Sequence, residues 1–107
     1  MRRLPPALAA AATPPILELL GDGPGRVLEL GFAGIHARSL ELAGWDVVVV
    51  EPAPAQAARA RERGAHVVEH AEGRFDAVVA PGSADLARVD AAKIILVDEQ
   101  GIASIAG

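Results

Sequence analysis

The chain has no cysteine and no tyrosine, one tryptophan, two phenylalanines and a single lysine among its 107 residues. Without cysteine there is no disulfide framework and no thiolate metal site. Aromatics make up 3% and hydrophobic residues 51%, so the core has to be built from Val, Ile, Leu and Ala. No run approaches the ~20 consecutive apolar residues that span a bilayer. Nor is positive charge in surplus: 10 Lys+Arg against 14 Asp+Glu leave a net charge of −4. That balance argues against general nucleic-acid or membrane-surface binding, though not against a small anionic ligand held by backbone amides. The expectation is one cytoplasmic domain over residues 1–107, long enough to bury roughly 65% of its unfolded surface.

The N-terminal "MRRLPPALAAAATPP" carries two arginines and small residues in the manner of a secretory leader. Two prolines interrupt it, and alanine is only weakly apolar, so residues 1–12 read instead as a flexible leader. Thr13, Pro14 and Pro15 then offer a cap and first turn for a helix over 14–20, closed by Gly21. "RVLEL" (26–30) reads as a buried strand, "IHARSLELA" (35–43) as a helix and "DVVVV" (46–50) as a strand buried on both faces. A helix over about 53–63 follows, then strands at 65–69 and 75–80, a helix at 83–92 with Ser83 as cap, and a fifth strand at 93–97. "IASIA" (102–106) could fold back as an antiparallel edge strand.

This alternation predicts an open, doubly wound, mostly parallel five-stranded sheet of Rossmann-like type, with helices on both faces. One link stands out. "HAEGR" joins the third and fourth strands with no helix, whereas parallel neighbours normally need a crossover of about a dozen residues or more. Either the link is a tight non-helical crossover, or one of the two strands is misassigned.

In such sheets ligands bind at the carboxyl ends of the strands. That puts residues 31–34, Glu51 with Pro52, the stretch 69–72 and residues 80–82 on one rim. Gly31 and Gly34 follow the first strand and open a helix, where free N–H groups and a partial positive charge favour an anion. Glu51 ends the second strand, and its two acceptor oxygens suit the paired hydroxyls of a ribose. A bland alternative is a tight turn whose glycines only permit packing. A dinucleotide fingerprint begun at Gly31 needs glycines at 33 and 36, where the chain has Ala33 and His36.

"VLELGFAG", "GWDVVVVEP" and "RFDAVVAPG" together resemble the class I S-adenosylmethionine-dependent methyltransferases. The resemblance covers residues 14 to about 97. It implies that Glu29 lies near the methionine end of the cofactor, that Gly31 is the first glycine of the cofactor loop, and that Glu51 holds the adenosine ribose. Ala33 stands where the family has its second glycine, Ile35 at the third, and Gly34 is displaced by one. Glu69 and Glu72 are the candidates for the adenine side. The Asp/Asn-Pro-Pro-aromatic motif of amino-methylating members is replaced by Ala80, Pro81, Gly82 and Ser83, where only a backbone carbonyl could meet a substrate. Glu51→Ala is expected to abolish cofactor binding with little effect on stability.

Other residues have simpler readings. His36 reads as a partly exposed helix residue, Trp45 as a cover on the core edge, and "RARER" (59–63) as a solvated helix face. His66 and His70 with Glu69 and Glu72 do not aim at one point, so no metal is expected. Ser39, Ser83 and Ser104 lack a nucleophile-elbow context. Three functions remain open: a methyltransferase-like domain that binds S-adenosylmethionine and takes its substrate side from a second subunit, a nucleotide- or dinucleotide-binding regulatory module, and a structural protein that kept the fold. A free sheet edge would also invite a homo-oligomer.

Overall fold

The computed structural model describes residues 5–106. Its elements run α1 (Pro6–Ala11), α2 (Thr13–Leu20), β1 (Gly25–Leu30), α3 (Ala37–Leu42), β2 (Trp45–Val50), α4 (Pro54–Glu62), β3 (Val67–Val68), β4 (Arg74–Pro81), β5 (Asp90–Val97) and β6 (Ala103–Ile105). They form a six-stranded sheet in the order β3-β2-β1-β4-β5-β6. Neighbours are parallel except for β6, which runs antiparallel to β5. The expected α/β sheet and its antiparallel C-terminal edge are therefore present. The central strands pack on both faces: Val27, Leu28, Val48, Val49, Val78 and Val79 are all buried, as unbroken β-branched runs suit. Among the described residues no helix is long and apolar enough to cross a membrane.

The two faces are covered unequally. On one, Ile16, Leu20, Ala37, Leu40 and Ala60 from the helices pack with Val27, Val49, Val79, Ile95 and Val97. On the other, Leu28, Val48, Phe75, Val78 and Ala80 form a second cluster whose cover comes from irregular chain. Ala71 lies over it from the link after β3, and Ala84, Leu86 and Val89 from the link after β4. The helical layer expected on both faces is thus formed on one.

The missing helix has a physical cause. Arg74 pairs with Asp90, so β5 begins three residues before the expected 93 and takes the end of the 83–92 segment. The remaining link turns twice instead. Ala84 N–H donates to the Pro81 carbonyl at 3.0 Å and Val89 N–H to the Leu86 carbonyl at 3.0 Å, while Asp85 Oδ1 accepts the Ala87 amide at 3.0 Å. Sheet pairing and apolar cover outweigh the local helix preference of an Ala- and Leu-containing stretch.

The link between β3 and β4 is the tight non-helical crossover. It passes from one side of the β2–β1 pair to the other, held by Arg26. That guanidinium lies 4.2 Å from the Phe75 ring centroid and donates from Nη1 to the Glu72 carbonyl at 2.9 Å. Asp76 Oδ2 accepts the Arg26 amide at 2.7 Å, which fixes the start of β4 beside β1.

The leader also differs from expectation. Residues 1–4 lie outside the described residues, but 6–11 form α1, and Ala9 and Ala12 are buried in the main core cluster. Pro6 at the start of α1 presets the helical φ, and the small alanine side chains let it lie close against α2. Replacing fully buried Ala12 by Asp is expected to lower stability by several kcal/mol, since a carboxylate would lose its water there. Urea unfolding checks this; an unchanged midpoint would mean the segment does not pack.

Candidate functional site

The site begins where β1 ends. Residues 31–36 must turn the chain from the sheet into α3 within a few residues. The left-handed region does this: φ is +79° at Gly31, +53° at Ala33 and +74° at Gly34. For the glycines that conformation is free of a Cβ clash, whereas at Ala33 it costs roughly 1–2 kcal/mol. Gly34 has a second reason to be glycine. A Cβ there would lie 3.1 Å from the Ala60 Cβ and 3.2 Å from the Ala65 Cβ, so its smallness lets α4 seat against the turn.

Two buried carboxylates hold the turn. Glu29, fully buried at the end of β1, accepts the His36 amide on Oε2 at 3.1 Å. Glu51, buried just after β2, accepts the Ala33 amide on Oε2 at 3.2 Å and the Ala53 amide on Oε1 at 3.3 Å. The Gly31 N–H donates to the Val50 carbonyl at 3.3 Å. From the C-cap of α4, Arg63 donates Nη1 to the Ala33 carbonyl at 2.6 Å. The turn is thus bound to the ends of β1, β2 and α4 at once.

Behind it sits His36, which is fully buried rather than partly exposed. Its Nδ1 lies 2.7 Å from Thr13 Oγ1, and its ring meets Phe32 edge-on at a centroid distance of 4.8 Å. Thr13 is consequently not the cap of α2. Ala12 holds that position, and the threonine hydroxyl serves the histidine. Among the described residues, two buried polar atoms have no hydrogen-bond partner: Glu29 Oε1 and His36 Nε2. Burial pushes the Glu29 carboxyl up to about 7, against the opposing pull of the His36 and Gly34 amides and the Arg63 charge. Burial also pushes the His36 imidazole down to about 4.

The predicted site residues fall into three groups. Glu29, Gly31, Ala33, Gly34 and Glu51 meet in the one buried turn. Exposed Pro52 and Glu69 line a cleft of about 370 Å³ with Glu51, Arg61 and Val68 beside the β2 and β3 ends. Glu72 belongs with this second group: it lines a neighbouring cleft with Arg26, His66 and the same Glu69. Ala80 is fully buried in the second core cluster, paired with Leu96. His66 and His70 form no metal-ligand group with the acids among the described residues. A further cleft of about 210 Å³ opens beside the turn, between α1 and α4, with Pro6, Phe32, Ala33, Arg59 and Arg63 on its walls.

The fold, though not any one site residue, can be compared with a solved structure. A glycopeptide N-methyltransferase, MtfA, superposes on 82% of this chain with a TM-score of 0.64 and 20% sequence identity. The chain has a methyltransferase-like fold. It spans about half of that protein, 52% of its length. No protein-family model matches the chain, and no curated protein matches it.

Sequence reasoning missed Thr13, Arg63 and the buried role of His36. Thr13 and His36 meet across 23 positions, Arg63 and Ala33 across 30, and no local spacing signals either contact. The titrations of Glu29 and His36 oppose each other. Glu29 is raised in the fold, so its contribution is fully present below about 4.5 and is lost as pH rises to about 7. His36 is depressed, so its contribution is present above 6.5 and is lost as pH falls to about 4. Each is on the order of 3 kcal/mol across its window, and in the parent chain they largely cancel. Glu29→Gln is expected to leave stability that rises from pH 4 to 6.5, and His36→Gln stability that falls from 4.5 to 7. Denaturant unfolding across this range measures both slopes; matching slopes in the two variants would contradict the assignment.

Proposed function

We propose that this domain binds S-adenosylmethionine at the carboxyl ends of β1 and β2, as a methyltransferase-like domain whose substrate side comes from a second subunit. One observation carries the reading. The fully buried Glu29 carboxylate leaves Oε1 without a partner at the turn where the methyltransferase resemblance puts the methionine end of the cofactor. An ammonium is the group such an oxygen lacks, and S-adenosylmethionine carries one. The left-handed turn brings backbone rather than side chain to the same place.

In this reading Glu29 receives the amino group and Glu51 the ribose hydroxyls. Glu51 already holds two amides, but a carboxylate has about four lone-pair sites, so further hydrogen bonds add to those it makes. Pro52 and Glu69 flank the cleft that continues from Glu51. When bound, S-adenosylmethionine supplies a methyl group on a good leaving group, so orientation is the main task left to the protein. The positions that match the family's acceptor motif hold Ala80, Pro81, Gly82 and Ser83, none with a side chain suited to binding an acceptor amine, which is why the acceptor side is assigned to a partner.

A second reading has its own observation. The turn residues 31–34 are all buried, and Arg63 closes over the Ala33 carbonyl. A domain that kept the fold without ligand chemistry would look the same. Calorimetric titration with S-adenosylmethionine, S-adenosylhomocysteine and NAD distinguishes them. The proposal predicts binding of both adenosyl compounds and not of NAD. Silence with all three favours the structural reading, and NAD binding favours a dinucleotide module. Glu51→Ala is expected to abolish binding and, contrary to the sequence-based expectation, to lower stability by about 1–3 kcal/mol by stranding the Ala33 and Ala53 amides.

A further inference from the structure

We propose that β6, whose outer edge meets no other strand among the described residues, pairs antiparallel with β6 of a second copy of this chain, about a two-fold axis through Ser104. This rests on the sheet edge alone and is independent of the cofactor reading.

The backbone sets the register. Ala106 N–H donates to the Ile94 carbonyl at 2.9 Å, and Asp98 N–H donates to the Ile102 carbonyl at 3.0 Å. With Leu96 opposite Ser104, residues 102, 104 and 106 direct their backbone groups at β5. By the alternation of an antiparallel ladder, Ala103 and Ile105 direct theirs outward. A two-fold partner strand can satisfy those groups in one register, with Ala103 of each copy opposite Ile105 of the other. Ser104 then faces its own symmetry mate as the closely spaced, non-hydrogen-bonded pair.

The side chains suit a second copy. Ile102 is 61% exposed, Ile105 49% and Leu8 37%, and Leu8 lies beside this edge, its carbonyl 3.1 Å from where a Cβ on Gly101 would stand. Residues 100–107 contain no charged side chain and no proline, the devices that normally keep a sheet edge from pairing. The opposite edge is guarded: β3 has two residues and is followed directly by exposed Glu69. An uncharged, apolar edge has no feature that selects a charged partner, and its outward backbone groups are complementary to themselves.

The absence of cysteine from the chain allows a direct test. At about 4.5 Å between Cα atoms, a non-hydrogen-bonded pair lies within the range of a disulfide. Single-thiol variants Ser104→Cys and Ile105→Cys are oxidised under mild conditions, and sedimentation gives the mass of the parent chain at ~100 µM, a concentration that allows for a small, weak interface. The proposal predicts a dimer, and disulfide formation roughly tenfold faster at 104 than at 105, where symmetry mates sit diagonally. Ser104→Lys, at an exposed position, sets two ammonium groups opposite each other and is expected to give a folded monomer with an unchanged circular dichroism spectrum. A monomeric parent chain overturns the proposal. So does a dimer that survives Ser104→Lys, or crosslinking at 105 that matches or exceeds that at 104.

Discussion

Glu29 and Glu51 stand at the ends of adjacent parallel strands, and each accepts an amide from the turn between β1 and α3. The remainder of the helical face follows from that arrangement. The turn takes three left-handed residues, one of them an alanine, and so needs external anchors to stay in that conformation. Once anchored, it sets where α3 begins, presents Gly34 to α4 and brings His36 under α2 to meet Thr13. Burying a carboxylate is costly without hydrogen bonds. Glu51 has an amide on each oxygen, whereas Glu29 has one oxygen satisfied and one not. The cost falls on Glu29, and it appears as a carboxyl that resists ionisation.

This division of labour bears on function. A carboxylate with an amide on each oxygen has fewer sites left for a ligand than one with an oxygen that has no partner. The asymmetry between Glu51 and Glu29 therefore makes the methionine end of the proposed site the more telling one. The rest of the architecture points outward. One sheet face carries a complete helical layer, while the other is covered by two irregular links, with Arg26 holding the first of them over Phe75. The sheet ends in an uncharged antiparallel strand.

Much of the fold was legible in the sequence because its signals are local. The valine run at 47–50, the prolines that open α2 and α4, and the glycines that close them each identify an element without reference to the rest of the chain. The turn was legible for the same reason: an acid, a glycine, a helix and a second strand-end acid arrive in fixed order. What could not be read was decided at long range. Ser83 to Ala92 has helical composition, but β4 recruits its last residues as strand and the second sheet face takes its apolar side chains as cover. His36 looks like any histidine early in a helix until Thr13 meets it from 23 positions away. In the sequence Glu51 reads as a ligand group alone, because nothing in its neighbours shows that the Ala33 amide points at it.

Glu29 is held in the core beneath the turn, with one oxygen satisfied and the other not. Its carboxyl carbon, labelled with carbon-13 and assigned by comparison with Glu29→Gln, can be followed by NMR as pH is varied in the folded chain. A midpoint of about 7 is expected, far above the ordinary carboxylate value of 4.5. A midpoint at 4.5 would place Glu29 in water, and the anchored turn and the site built on it would both fail.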